Sequence, residues 1–244
     1  MMRTVAIIPA RGGSKGIPRK NIIDFCGYPL VSWTIACARR CPRIDAVYVS
    51  TDDAEIAEVS RHYGAEIIER PANIAGDTSS SESAVIHACE VIRQKNLLPD
   101  AVIMMQATSP LRETSELDDA ITRFAEGSLD SLFSAAQPED MLLWIQDGAD
   151  LHSLNFDYKA RKRRQDATHG IKTWIETGSY YITKTELLLA SGNRLGGRIG
   201  MWAVPFWKSF EIDSVDSLQV CAALMRAYKL DTVVPAVPQR RRRS

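Results

Sequence analysis

The chain opens on an almost unbroken apolar run, residues 4–9, and then turns abruptly polar. A run this short and this uniformly apolar predicts a strand covered on both faces, as in a parallel sheet. Similar runs recur at 45–50, 65–68, 101–105 and 132–135. The intervening segments carry apolar residues at spacings of three and four. They predict helices over 29–40, from Asp52 or Asp53 as cap to about 63, over 81–95 and over 114–126. Leu30, Val31, Trp33, Thr34 and Cys37 share related faces of the first, and Gly64 and Gly127 stand where the second and fourth stop. Such β-α alternation predicts an α/β fold with a Rossmann-like, mainly parallel sheet covered by helices.

The alternation breaks over 137–177. That stretch carries Trp144, Trp174, a turn at Asp147-Gly148 and a basic run at 159–164, with no clear helical period between strands. It predicts a strand-rich insertion. Regular alternation resumes with a strand at 179–183, a helix at 184–190, a strand at 199–204 and a terminal helix at 214–228. Residues 1–136 and 178–230 are expected to form one domain, 137–177 a small inserted subdomain, and 231–244 a flexible tail ending in Arg240–Arg243.

Charge adds less than it first suggests. Among 244 residues, 30 Lys and Arg balance 30 Asp and Glu. A zero net charge argues against a grip on long nucleic acid or a polybasic membrane contact. No apolar run approaches the roughly 18 residues of a membrane span. The stretch after Arg3 is shorter than a secretory signal's apolar region of about 7–15 residues. A cytoplasmic location is expected. The 5 cysteines form no Cys-x-x-Cys pair, and the 4 histidines show no metal-ligand spacing. Cys37 and Cys41, one helical turn apart, read as small buried side chains. The neutral sum conceals a concentrated start: Arg3, Arg11, Lys15, Arg19 and Lys20 all precede the first acid, Asp24.

Those cations fall where chemistry is expected, in Pro9-Ala-Arg-Gly-Gly-Ser-Lys-Gly-Ile-Pro-Arg-Lys-Asn21 at the carboxyl end of the first strand. Open α/β sheets bind ligands at that edge. Gly12, Gly13 and Gly16 let the backbone approach a ligand, while Arg11, Lys15, Arg19 and Lys20 supply positive charge, a combination suited to a polyphosphate. The spacing is neither a Walker loop nor Gly-x-Gly-x-x-Gly. A bound polyphosphate normally carries Mg²⁺, held by one or two carboxylates and waters. Asp52 and Asp53 after the second strand, and Glu211 and Asp213 before the last helix, are the acids in reach. Glu211-Ile-Asp213 puts two carboxylates on one side of an extended segment. Asp213 serves equally well as a helix cap beside Ser214.

The loop resembles the signature of the acylneuraminate (CMP-sialic acid) cytidylyltransferases. Further blocks follow in that family's order: Ser50-Thr-Asp52, Arg70-Pro-Ala, Asp77-Thr-Ser-Ser-Ser81, Gln106-Ala-Thr-Ser-Pro-Leu-Arg112, Arg164-Gln165, Gly178-Ser-Tyr-Tyr-Ile182 and Glu211-Ile-Asp213. Together they span roughly residues 4–225. The resemblance implies a nucleotidyltransferase domain joining CTP to a nine-carbon acid sugar, with pyrophosphate as co-product and Mg²⁺ as cofactor. It implies that Arg11, Lys15 and Lys20 hold the triphosphate, with Gly12, Gly13, Ser14 and Asn21 around the nucleotide. Arg70 and Ser81 would read the cytosine. Gln106, Arg164, Gln165 and Tyr181 would meet the sugar, Arg164 from a partner subunit. Asp213 and Glu211 would hold the metal, and Arg11, Lys20 and Asp213 would carry catalysis. It further implies a homodimer through 137–177, with Leu142, Leu143 and Trp144 as interface area. Departures from the family pattern, at Glu211 and at Glu176-Thr-Gly178, lie in the sugar-facing half. The sugar therefore stays open among N-acylneuraminate, legionaminate, pseudaminate, deaminated neuraminate and Kdo. A nucleotide-binding module without turnover is the alternative of another class. Nucleic-acid binding through Arg240–Arg243 finds no supporting motif in the rest of the chain.

Overall fold

A computed structural model describes residues 2–14, 16–138, 141–161, 163 and 172–238. At its centre β1 (Thr4–Pro9) lies between β4 (Ala46–Thr51) and β6 (Ala101–Met105), parallel to both. The seven-stranded sheet has the order β11-β7-β10-β6-β1-β4-β5, with β5 at Glu66–Glu69, β7 at Ser131–Ala136, β10 at Ile175–Lys184 and β11 at Ile199–Val204. The short strands β2 (Asp24–Phe25) and β3 (Tyr28–Pro29) pair antiparallel outside it.

Side-chain alternation in β1 explains its unbroken apolar sequence. Ala6 and Ile8 pack on one face, against α1 (Leu30–Arg40) and α4 (Thr114–Glu126), with Val31, Ile35, Ile121 and Phe124. Val5 and Ile7 pack on the other, against α3 (Ser81–Gln94) and α5 (Thr185–Ser191), with Val85, Ile92 and Leu188. Each fully buried aliphatic side chain contributes about 2 kcal/mol, so both faces need covering. Helix ends follow local chemistry. Asp53 caps α2 (Ala54–His62), accepting the Ile56 N–H at 2.9 Å. Ser80 caps α3, accepting the Ser83 N–H at 3.1 Å. Ser214, in a capping box with Ser217, starts α6 (Val215–Ala227).

The sheet departs from a purely parallel one at β10, which runs antiparallel to both β6 and β7. It also begins at Ile175, ahead of the expected residue 179, with a register irregularity between Glu176 and Tyr181. The chain leaves β7 at Ala136 and re-enters the sheet at Ile175, directly opposite it, so β10 returns along β7 without crossing to the far end of the sheet. Between the two strands the described residues include an antiparallel hairpin, β8 (Trp144–Asp147) and β9 (Asp150–Ser153), turning at Gly148. Residues 231–238, expected to be part of a flexible tail, lie against the body. Arg40 donates to the carbonyls of Val233 and Val234, and Pro238 sits against Gly64. Arg240–Arg243 lie outside the described residues. No helix among those described is long and apolar enough to cross a membrane.

Candidate active site

The parallel strands β1, β4 and β6 deliver their carboxyl ends to one edge, and a polar cleft opens there. Arg11, Ser14, Lys20 and Asn21 from the first loop line one side; Arg70, Ser79, Ser80 and Ser81 line another; Gln106 and Thr108 after β6 close it.

The first loop is fixed by its own backbone. Asn21, buried, donates to the Arg11 carbonyl at 2.9 Å, drawing the loop into a turn. Arg11 reaches the Gly76 carbonyl at 2.6 Å and lies 3.3 Å from Asp77. The Gly12 N–H donates to Asp52 at 3.0 Å, so Asp52 holds the loop. Arg19 adopts a left-handed φ of 58°, which turns it out of the cleft onto Asp53 and Glu55. That guanidinium holds the Asp53 carboxyl below the usual carboxylate range, and Asp53 also caps α2. Asp53 is therefore engaged away from the cleft. Gly13 lies in open space. Lys15 is outside the described residues.

Lys20 reaches across the cleft mouth to Asp213, 2.8 Å away and 193 residues on. The ammonium is largely enclosed, its side chain 16% exposed, whereas the Asp213 side chain is 71% exposed. Asp213 is not the cap of α6, because Ser214 takes that role. Ile212 is fully buried and donates its N–H to the Thr108 carbonyl at 2.8 Å. On either side of Ile212, Glu211 is half-buried and Asp213 is exposed. The Glu211 carboxyl rests against Gly178, where a Cβ would collide with it and with the Gln106 amide. Burial, reinforced by the charge of Asp213, pushes the Glu211 carboxyl above its usual range. Two adjacent carboxylates, one short of compensating charge, suit a hard divalent cation that keeps water and phosphate oxygens as its other ligands. Among the described residues no cluster of three or more His, Cys, Asp or Glu forms an all-protein cage. The donor set thus fits Mg²⁺ at a substrate-completed site.

Arg70 is buried and wedged under the cleft, donating to the Ser50 hydroxyl at 3.1 Å and the Ser50 carbonyl at 2.6 Å. Ser81 opens α3 and lines the cleft with Ser79 and Ser80, so the N-terminal end of the helix, which favours an acceptor or anion, lies at the cleft wall. Tyr181 does not line the cleft. Its hydroxyl donates to Glu176 at 2.7 Å, and the Arg194 guanidinium lies 4.7 Å over its ring. Arg194 continues to Glu82, on the first turn of α3, at 2.6 Å. Arg164 and Gln165 lie outside the described residues. Sequence reasoning missed Ser79, Ser80 and Thr108. Ser80 carries a readable signal, since a serine before an apolar-periodic segment is a cap.

Residues 5–170 match the family model described as Cytidylyltransferase. Pseudaminic acid cytidylyltransferase of Campylobacter jejuni subsp. jejuni is 33% identical over 230 residues, covering 92% of this chain and 97% of that one. N-acylneuraminate cytidylyltransferase A of Danio rerio is 34% identical over 212 residues, covering 85% of this chain but 47% of that one. Among solved structures, CMP:2-keto-3-deoxy-manno-octonic acid synthetase complexed with CTP superposes with a TM-score of 0.68 at 16% identity, over 93% of this chain and 99% of that one. A 4-diphosphocytidyl-2C-methyl-D-erythritol synthase gives a TM-score of 0.68 at 12% identity, over 92% and 99%. At those identities the two structures share the fold.

Proposed function

This chain belongs to the cytidylyltransferase family, and from that footing we propose that it activates a nonulosonic acid: CTP and N-acylneuraminate give CMP-N-acylneuraminate and diphosphate. The observation that carries the reading is the Lys20–Asp213 pair across the mouth of a cleft that also holds Arg11, Arg70 and Gln106. A phosphate-seeking cation and a metal-seeking carboxylate neutralise each other until substrate arrives. CTP offers phosphates to the one and brings the cation that the other needs.

Arg11 and Lys20 bind the triphosphate, and Asn21 keeps the loop turned toward it. The N-terminus of α3, with Ser81, and the guanidinium of Arg70 supply donors for the acceptor atoms of cytosine. Gln106 orients the acid sugar. The anomeric hydroxyl oxygen bonds to the α-phosphorus, the α–β bridging bond breaks, and its electron pair departs on diphosphate as the hydroxyl proton is lost to water. Arg11 and Lys20 stabilise the charge that gathers on the leaving group, which is where preorganised cations act most. Asp213 and Glu211 hold Mg²⁺, which when bound neutralises and orients the phosphates.

Pseudaminate is the second reading. It is favoured by the relative from Campylobacter jejuni, which matches this chain over nearly its whole length, as the longer Danio rerio enzyme does not. The protein acts as a homodimer through the hairpin β8–β9, whose neighbourhood exposes Leu142, Leu143, Trp144, Ile145 and Leu151. Such a cluster is unusual on a free surface.

Asp213→Asn tests the site. Pyrophosphate release from CTP, in the presence of Mg²⁺ and an acid sugar, is expected to fall by about a hundredfold or more. The melting temperature should hold, because the side chain is mostly exposed. Full activity in this variant would remove Asp213 from the chemistry.

A further inference from the structure

Behind the cleft lies a charge that the functional reading leaves unused. Arg112 ends the loop that begins at Gln106, and it is 7% exposed. Its Nε donates to the Ser179 hydroxyl at 2.8 Å. One terminal nitrogen donates to the Thr34 hydroxyl at 3.3 Å. The other donates to the carbonyls of Gln106 at 3.2 Å and Ser179 at 2.5 Å. Every hydrogen-bond partner is neutral; the carboxylates of Glu116 and Glu211 act on the guanidinium only through space, with no ion pair to it among the described residues. Burying a guanidinium without a paired anion is costly, so its retention calls for a purpose beyond cohesion.

The bonds themselves indicate that purpose. Gln106, just past the end of β6, faces Ser179 in the middle of β10, where the Gln106 N–H donates to the Ser179 carbonyl at 3.3 Å. Arg112 binds both carbonyls at once. The peptide it grips follows Gly178, the residue against which the Glu211 carboxyl and the Gln106 amide both rest. Thr34 anchors the same guanidinium to α1, and also donates to the Gln106 carbonyl at 3.3 Å. A planar fork of donors can hold several acceptors in fixed directions; an ammonium cannot.

We propose that Arg112 is a positioning residue: it locks the loop of Gln106 to the middle of β10, and so sets the sugar-facing amide and the seat of Glu211 relative to the nucleotide side of the cleft. This rests on the reading of Gln106 as a sugar contact. The nucleotide side is held separately, by Asn21 on the Arg11 carbonyl and by Arg70 on Ser50, so loss of Arg112 divides the two substrates.

The test is Arg112→Lys, measured two ways. In steady state, KM for the acid sugar should rise about tenfold or more while KM for CTP stays within about twofold. A merely structural role would lower the melting temperature or the active fraction and move both constants together or neither. In hydrogen exchange, which needs no turnover, the amide of Gln106 should lose protection while that of Arg70, bonded to the Thr51 carbonyl, keeps it. Ser179→Ala, which removes one acceptor and leaves the arginine, should move both readouts the same way by a smaller amount, and it stands in if the lysine variant fails to fold. Equal shifts in the two KM values, or unchanged exchange at Gln106, overturns the proposal. A wild-type protein that forms no CMP-sugar with any acid sugar would defeat the functional reading instead, and the exchange result would still decide the role of Arg112.

Discussion

At the scale of single residues, geometry sorts cations that the sequence presents as equals. Arg11, Arg19 and Lys20 stand within ten residues, yet the left-handed φ at Arg19 sends it to Asp53 and Glu55 and leaves the cleft to the other two. The Arg19–Asp53 contact predicts an acid-dependent stability. With its carboxyl held below the ordinary value near 4, Asp53 contributes stability above that pH and loses it as pH falls through the depressed folded-state value. Arg19→Gln should therefore lower the melting temperature at pH 7, with the gap to wild type closing below about pH 4. A gap that stays constant into acid would mean the pair is not the source. That Lys20, Asp213 and Gln106 come together at one cleft was legible in the sequence, because each stands in one of the ordered blocks. Arg112 closes one of those blocks but had no legible role, because its burial and its hold on Ser179 and Thr34 come only with the fold.

At the scale of elements, hydrophobic patterning located the helices and strands around the cleft but could not orient β10. A strand covered on both faces has the same apolar content whether it runs parallel or antiparallel, and the direction is decided by where the chain re-enters the sheet, at Ile175 opposite Ala136. The reversal has a consequence at the site. It brings Gly178, at φ +65°, to the end of β6, where the Glu211 carboxyl and the Gln106 amide occupy the space a side chain would need. Gly178→Ala combines a left-handed backbone with that collision. It should cost about 1 kcal/mol or more of stability, read as a lower denaturation midpoint, together with lost turnover. Wild-type midpoint and rate in this variant would show that the turn is not needed. The cap of α6 makes the converse point: the sequence left Asp213 equally able to cap or to bind, and Ser214 with Ser217 settles the cap, releasing Asp213 toward Lys20.

At the scale of the whole molecule, one edge of a mixed sheet gathers the cleft, and an arm with an apolar surface stands apart from it. Trp144 packs on Phe156 and Tyr158 at 5.5 and 5.4 Å and is still 44% exposed. Aromatic side chains left in this state are favoured at interface cores. Trp144→Glu should shift sedimentation from dimer to monomer; a wild-type protein that sediments as a monomer at micromolar concentration would contradict the dimer. The zero net charge is likewise a sum over unlike regions, with five cations and no acid before Asp24. The central claim is that this edge joins CMP to an acid sugar. Its most direct measurement is mass-spectrometric detection of CMP-sugar from CTP, Mg²⁺ and a panel of nonulosonic acids, with ATP and UTP in parallel. CMP-sugar with N-acylneuraminate or pseudaminate, from CTP alone among the nucleotides, is the predicted result. Equal turnover of ATP and UTP, or no CMP-sugar from any acid in the panel, would contradict it.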